Sequence, residues 1–438
     1  MKKLIVFFLP LMASGILQLL FNAVDLVVVG RFTGSEALAA VGSTTALISM
    51  LVNLFIGISN GVNVMTARYY AMKDRQMVHD TVHTAILFAM VSGFAMIAVG
   101  FLFSRPALTL MGTPDTIIDQ SLLYMRIYFC GMPFFMTYNY GAAILRAAGD
   151  TVRPLRFLVI AGITNALLNL LLVTQFHLGV AGVAVATVVS QCISCVLVLR
   201  CLMATDEVYR LNLRELRIRG GLLVRILRIG VPAGLQSVII NFSNVLLQST
   251  VNTFGSDAMA GYTAANNLFG FQFASIDAIS QACMSFTSQN LGRRKMHRMD
   301  RVLRNCLLLD VIVGGILGVL CTVFGRQLIG IYTSSAEVIR YGMMILPIAS
   351  LPYLLCGIMN CIPGAMRGMG YSTVPMFLSL IGTVGTRIVW IYLFFPMQPT
   401  LTFLFVSYPL SWAVTIALQL VCYFIVRHRV YRKLGPEE

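Results

Sequence analysis

Apolar residues recur along this chain in runs of about twenty, separated by short polar connections, and each run is long enough to cross a hydrocarbon core as a helix. Twelve such spans are read, at 4–29, 43–67, 82–104, 121–145, 154–174, 180–201, 226–254, 260–290, 302–324, 338–366, 373–395 and 400–426. Lipid offers the backbone no hydrogen bonds, so segments of this kind fold as helices. The pattern predicts an all-α polytopic membrane protein of twelve transmembrane helices.

The pattern also repeats. Gly34-Ser35-Glu36-Ala37-Leu38-Ala39-Ala40 returns as Gly255-Ser256-Asp257-Ala258-Met259-Ala260-Gly261, an offset of 255 − 34 = 221. At the same offset Thr66 to Asp74 faces Thr287 to Lys295, and Arg146, Gly149 and Pro154 face Arg367, Gly370 and Pro375. Six spans per half give both halves the same orientation, as in transporters built from two parallel repeats that rock around a cleft. The expected domains are a six-helix lobe at 1–204, a connecting loop at 205–225 and a second six-helix lobe at 226–438.

Polar positions inside the spans mark helix faces. In the first span Ser14, Gln18, Asn22 and Asp25 follow steps of three and four, so they share one face. A carboxylate there is costly to keep, and reads as part of a proton, ion or substrate path. The plainer reading is that Asp25 snorkels to water and pairs with Arg31. Asn53 and Asn60, Asn165 and Asn169, and Thr187, Ser190 and Gln191 give the first lobe further polar faces. The second lobe offers Asn241, Asn244 and Gln248 on one span, then Asn266, Asp277 and Gln281 on the next, with Phe269, Phe271, Phe273 and Met284 as a possible wall for an organic ligand. Each amide could equally serve helix–helix hydrogen bonding, worth about 0.6 kcal/mol apiece. Asp310 sits near a basic connection, where a salt bridge is expected. Pro10, Pro232, Pro347, Pro352 and Pro363 interrupt the hydrogen-bond ladder of their helices, as static bends or as hinges.

The net charge of +15 would suit nucleic acid, but its distribution argues for topology instead. Of the 32 basic residues, 26 fall at alternate connections and the tail, four on the opposite set (Arg31, Arg105, Arg326 and Arg340), and Arg126 and Arg387 lie inside spans. By the positive-inside rule both termini and the middle loop are cytoplasmic. The basic start Met1-Lys2-Lys3 precedes an apolar run too long for a signal peptide. The ten cysteines lie in or beside spans, and Cys192 and Cys195, although a CxxC pair, read as apolar packing. His79 and His83 are one turn apart with no third ligand nearby in sequence, so no metal site is assigned. In 205–225, Leu211, Leu213, Leu216 and Ile218 interleave with Arg210, Arg214, Arg217 and Arg219, the pattern of a tether lying on an anionic leaflet.

Three of these segments together resemble one family. Asp25-Leu26-Val27-Val28-Val29-Gly30-Arg31 leading to Ala37-Leu38-Ala39-Ala40-Val41-Gly42, then Leu145-Arg146-Ala147-Ala148-Gly149-Asp150-Thr151 with Pro154, and Gln289-Asn290-Leu291-Gly292 are similar to the bacterial multidrug and toxic compound extrusion (MATE) transporters. The resemblance implies two six-helix lobes and export of organic, cationic, amphiphilic compounds by antiport with H⁺ or Na⁺, without a cofactor and with a monomer sufficing. It implies that Asp25 is the coupling acid and that Asn165, Asn169 and Thr187 belong to its cluster. Where one branch of the family carries a second acid, this chain has Asn169, which favours H⁺ and a single carboxylate. The remaining alternative is a flippase for a lipid-linked precursor, although Arg126 and Arg387 alone make a sparse basic cleft. No GxSxG, HExxH or paired intramembrane aspartates point to an enzyme.

Overall fold

The computed structural model describes residues 2–434; Met1 and the final residues 435–438 of the expected termini lie outside the described residues. Those described are helical or in short connections, with no strand among them. In order the helices are α1 Lys2–Phe32, α2 Ser35–Met72, α3 Arg75–Leu110, α4 Asp115–Cys130, α5 Met132–Ala148, α6 Val152–Thr174, α7 Gly179–Ala204, α8 Gly220–Val251, α9 Ser256–Gly292, α10 Met296–Val323, α11 Gly325–Gly330, α12 Ala336–Ser350, α13 Tyr353–Gly368, α14 Thr373–Ser379, α15 Thr386–Val389, α16 Leu401–Phe405 and α17 Ser407–Leu434. Two compact units result, one of Ile16–Val231, the other of the residues up to Gly15 and from Pro232 onward.

Among the described residues nine helices are individually long and apolar enough to cross a membrane, or ten when α12 and α13, bent by 46°, count as one span. The other two expected spans are helical but depart from the expectation for local reasons. The run 121–145 breaks at Gly131, because Pro133, in the first turn of α5, has no N–H to continue the ladder. The run 260–290 is a continuous helix, α9, but a polar one: Gln272, Ser275, Ser280, Ser285, Thr287 and Ser288 are all buried, sheltered by neighbouring helices rather than exposed to lipid. Bends at the other prolines vary. Pro10 and Pro232 lie inside unbroken α1 and α8, whereas the α12–α13 bend sits at Pro352.

The duplication is legible in the backbone. Gly34 and Gly255 have φ of 103° and 97°, Gly149 and Gly370 have 101° and 95°, and Lys73 and Arg294 have 59° and 55°, each pair 221 residues apart. Left-handed conformations are costly for side-chain-bearing residues, so matching them three times, once without glycine, reflects the same turns built twice.

The connection 205–219 is irregular apart from a 3-10 turn at Leu213–Glu215. It grips α3 rather than floating free. Arg217 and Arg219 each place a guanidinium nitrogen 3.0 Å from Asp80, which is fully buried, and Gln76 donates to the same carboxylate. The Asn212 N–H donates to His83 Nε2 at 3.0 Å and the Arg219 N–H to Thr84 Oγ1 at 3.1 Å. Leu211 and Tyr209 are buried, whereas Leu213 and Ile218 stay exposed. Arginines that the sequence pattern assigns to a lipid surface are therefore partly spent on Asp80, the sixth residue of α3, which the pattern did not single out.

Candidate functional site

Asp25 is placed by the packing of α1's last turns. Val28 and Val29 are buried with Val41, Ile48, Val173, Val180 and Val183, which seats this stretch of α1 against α2, α6 and α7. In lipid such contacts hold by close packing rather than by hydrophobic burial. The helix face that starts at Gln18 then looks into a cavity of about 240 Å³. Gln18, Asn22 and Asp25 line it, facing Asn165 of α6 and Thr187 and Gln191 of α7, all of them expected from the sequence.

The polar side chains form a relay. Asn169 Nδ2 donates to Asp25 Oδ1 in a short hydrogen bond and to Asn165 Oδ1 at 3.2 Å. Asn165 Nδ2 donates to Thr187 Oγ1 at 3.4 Å, and the Thr187 hydroxyl donates to the Val183 carbonyl at 3.0 Å. Asn169 is fully buried behind Asp25, and its Oδ1 has no hydrogen-bond partner among the described residues. That oxygen is an acceptor held beside an acid. The expected alternative, a pair between Asp25 and Arg31, is replaced by the amide: the partner of Asp25 is Asn169.

Aromatic groups complete the wall, and the sequence reading missed them. Tyr124 and Tyr128 of α4 and Phe135, Tyr138 and Asn139 of α5 line the cavity. Their spacing of four (124, 128) and of three to four (135, 138, 139) was a detectable signal, obscured by treating the broken helix as one span. Two glycines make the enclosure possible. A Cβ on Gly162 would fall within the ring of Phe21, and one on Gly131 would overlap Gln191 Oε1. Asn53 and Asn60 stand half-buried outside the lining, and Val52 and Ile56 are the α2 residues that face the cavity.

The candidates of the other unit are not gathered in this way. Asn244 accepts a hydrogen bond from Arg387 at 2.8 Å; that guanidinium is buried, also bonds Ser243, and lies 4.4 Å from the Tyr408 ring centroid. Separately, Gln281 donates to Asp277 at 2.7 Å, and Arg367 is an electrostatic neighbour of Asp277. Asn241 is half-buried, while Gln248, Asn266 and Phe273 are exposed. The salt bridge expected at Asp310 is absent among the described residues: the side chain is fully buried, and the basic residues of its own helix lie on earlier turns.

His79 and His83 stack at 3.9 Å between ring centroids, and Glu215 joins them, its carboxylate 2.8 Å from His79 Nε2. His83 is nevertheless committed to the backbone at both nitrogens, bonding the His79 carbonyl through Nδ1 and accepting from Asn212 through Nε2. This trio fastens the connecting loop to α3.

The sequence matches the family model MatE twice, over residues 10–171 and 232–393. The matched segments start 222 residues apart, at Pro10 and Pro232, one residue from the offset of the turns. A protein of Bacillus subtilis (strain 168) named "Probable multidrug resistance protein YoeA" is 30% identical over 429 residues, covering 95% of this chain and 92% of that one. The "Multidrug export protein MepA" of Staphylococcus aureus (strain MRSA252) is 21% identical over 384 residues, covering 87% and 84%. Among solved structures, the Vibrio cholerae MATE transporter VcmN in its bent form superposes with a TM-score of 0.89 at 18% identity, over 98% of this chain and 97% of that one. With two copies of the family model spanning most of its length, this chain belongs to the MatE family.

Proposed function

We propose that this protein is a secondary antiporter that exports organic, amphiphilic, cationic compounds across a bacterial plasma membrane in exchange for H⁺, with Asp25 as the coupling site. The observation that carries the reading is the relay Asp25–Asn169–Asn165–Thr187 opening onto a cavity walled by tyrosines. The names of its relatives, as multidrug resistance and multidrug export proteins, support the substrate class. The basic bias of alternate connections supports cytoplasmic termini.

The chemistry follows from what an amide can do. An ionised Asp25 is held by the Asn169 N–H, a charge-assisted bond stronger than a neutral one. A protonated Asp25 becomes a donor and needs an acceptor, which Asn169 Oδ1 provides after rotation of the amide. Rotation removes the bond from Asn169 Nδ2 to Asn165, so the change passes along the relay to Thr187 on α7. Proton uptake thereby alters the charge beside Gln18, Asn22 and Gln191 while keeping the acid satisfied in either state. A cation bound near the carboxylate loses its counter-charge when the proton arrives, which is the thermodynamic requirement for exchange. Na⁺ is the competing ion, since the same oxygens could coordinate it.

Purified protein in proteoliposomes, given a fluorescent organic cation and either a pH or a Na⁺ gradient, tests this. Efflux driven by the pH gradient and abolished by Asp25→Asn is expected. Transport driven by Na⁺ alone would overturn the proton assignment. A failure with both gradients, together with lipid scrambling, would replace antiport by flipping.

A further inference from the structure

Three thiols from three helices meet inside the C-terminal unit. Cys283 of α9, Cys306 of α10 and Cys361 of α13 are each fully buried, and their sulfur atoms all lie within 4.8 Å of one another. Asp310 follows Cys306 by one turn on the same face of α10 and is equally buried. Neither of its carboxylate oxygens has a hydrogen-bond partner of ordinary geometry among the described residues, and its polar neighbour is the Cys361 thiol. Space for the carboxyl is made by Gly357, one turn before Cys361 on α13: a Cβ there would stand 3.0 Å from Asp310 Oδ1. Ordinary packing explains one buried cysteine, a small and weakly polar side chain. It does not explain a fully buried acid whose polar neighbour is one thiol of a cluster of three, because a buried carboxyl is costly to keep and is normally well paired or bound to metal.

We propose that Cys283, Cys306, Cys361 and Asp310 form a site for one thiophilic divalent cation of the Zn²⁺ class. Three sulfurs and one carboxylate oxygen are a tetrahedral donor set that such a cation accepts, and bonds of about 2.3 Å to sulfur place the sulfurs about 3.8 Å apart. The three sulfurs, within 4.8 Å of one another, reach that spacing by side-chain shifts, and Asp310, outside the trio beside Cys361, turns toward it as the fourth donor. Charge sets the terms. The four protonated donors are neutral, so a divalent cation that displaces two protons leaves the core neutral, and each further proton lost leaves a negative charge in an apolar surround. Binding is therefore proton-linked and strengthens as the pH rises. The bound ion would tie α9, α10 and α13 at one point. This assignment is independent of the antiport reading, because none of its residues belongs to the Asp25 relay.

The test uses the full chain in detergent, purified from cells supplied with Zn²⁺ and then exchanged with Co²⁺ as a spectroscopic probe. One Zn²⁺ per chain is expected by elemental analysis, and the Co²⁺ form should show a thiolate-to-cobalt charge-transfer band. The band should persist when the other seven cysteines of the ten are replaced by serine or alanine, and vanish when Cys283→Ser or Cys306→Ser is added. Asp310→Asn should keep the sulfur band, shift the visible cobalt bands and weaken Co²⁺ binding by about tenfold or more. Since a serine variant that fails to fold would also lose the band, each variant is read beside its thermal melt without metal. Sub-stoichiometric metal in the wild type, a band that survives Cys283→Ser, or a band lost with the other seven cysteines would each overturn the proposal.

Discussion

Asp25 and Asp310 are both carboxylates set in apolar helices, and their surroundings answer the same problem with different chemistry. Asp25 borders a cavity and is held by the Asn169 amide, which leads on to Asn165 and Thr187. Asp310 is sealed, with a thiol as its polar neighbour and two more sulfurs close by. An amide carries donor and acceptor together, so it accommodates an acid that gains and loses a proton. A thiol is a weak hydrogen-bond donor but, once deprotonated, a strong ligand for soft cations. The first arrangement suits turnover and the second suits a fixed occupant. The comparison teaches that an acid in a membrane helix is not informative alone; the groups within reach decide whether it is a switch or a strut.

The contrast can be broken most directly at Asp25. Asp25→Asn should reduce gradient-driven efflux to the liposome background while its thermal melt stays close to wild type; efflux persisting in that variant would remove the switch role. In the same assay, run without added metal, Asp310→Asn should transport as wild type does. Its defect should be reduced protection by Zn²⁺ in the melt: at a hundred times the wild-type Kd the ion protects by about 2.7 kcal/mol, and a tenfold weaker site loses about 1.3 kcal/mol of that. Efflux lost through Asp310→Asn would make the two acids functional equals and erase the contrast.

Asn169→Ala removes the donor to Asp25 but keeps the acid. Losing a hydrogen bond to a charged group costs about 1.5–3 kcal/mol, so coupled efflux should fall by roughly tenfold to a hundredfold. Asn169→Gln, which retains the amide, should recover part of it. Away from both acids, Asp80→Asn frees Arg217 and Arg219, which are half-exposed and regain water, so a stability loss of about 1–2 kcal/mol is expected in a melt. The smallest effect is a pH dependence of the connecting loop. Hydrogen bonds from Asn212 and then His79 hold the Glu215 carboxyl below the usual glutamate range. A depressed acid contributes its grip above its unfolded pKa, about 4.3, and loses it as the pH falls through the folded value. Amide protection across 205–219, with the pH-dependent intrinsic exchange rate divided out, should therefore be steady from neutral pH to about 5 and fall below about 4. Protection already lost near neutrality would assign the grip to another group.

Much of the site was legible in the chain because a helix turns regular spacing into a shared face. Gln18, Asn22 and Asp25 had to point together once 4–29 was helical, and Asn165 with Asn169 likewise. What spacing could not supply was the partner of each face. The aromatic wall was hidden because Pro133 splits one apolar run into α4 and α5, so Tyr124 and Tyr128 belong to one helix and Phe135 and Tyr138 to the next. Asp80 went unremarked because an acid in the first turns of a helix reads as ordinary, and only the fold of 205–219 buries it under two arginines.

By itself, then, the sequence determined the helices, the duplication and the polar stripe of α1, all consequences of local periodicity and of lipid's intolerance of unsatisfied backbone. The tertiary structure alone decided that Asn169 rather than Arg31 holds Asp25, that Asn53 and Asn60 stay outside the cavity, and that Cys283, Cys306 and Cys361 converge with Asp310 beside Cys361. Residues 23, 55 and 78 positions apart have no periodicity to connect them. Their meeting depends on the axial register and rotation of three packed helices, set by close contacts such as the one Gly357 permits.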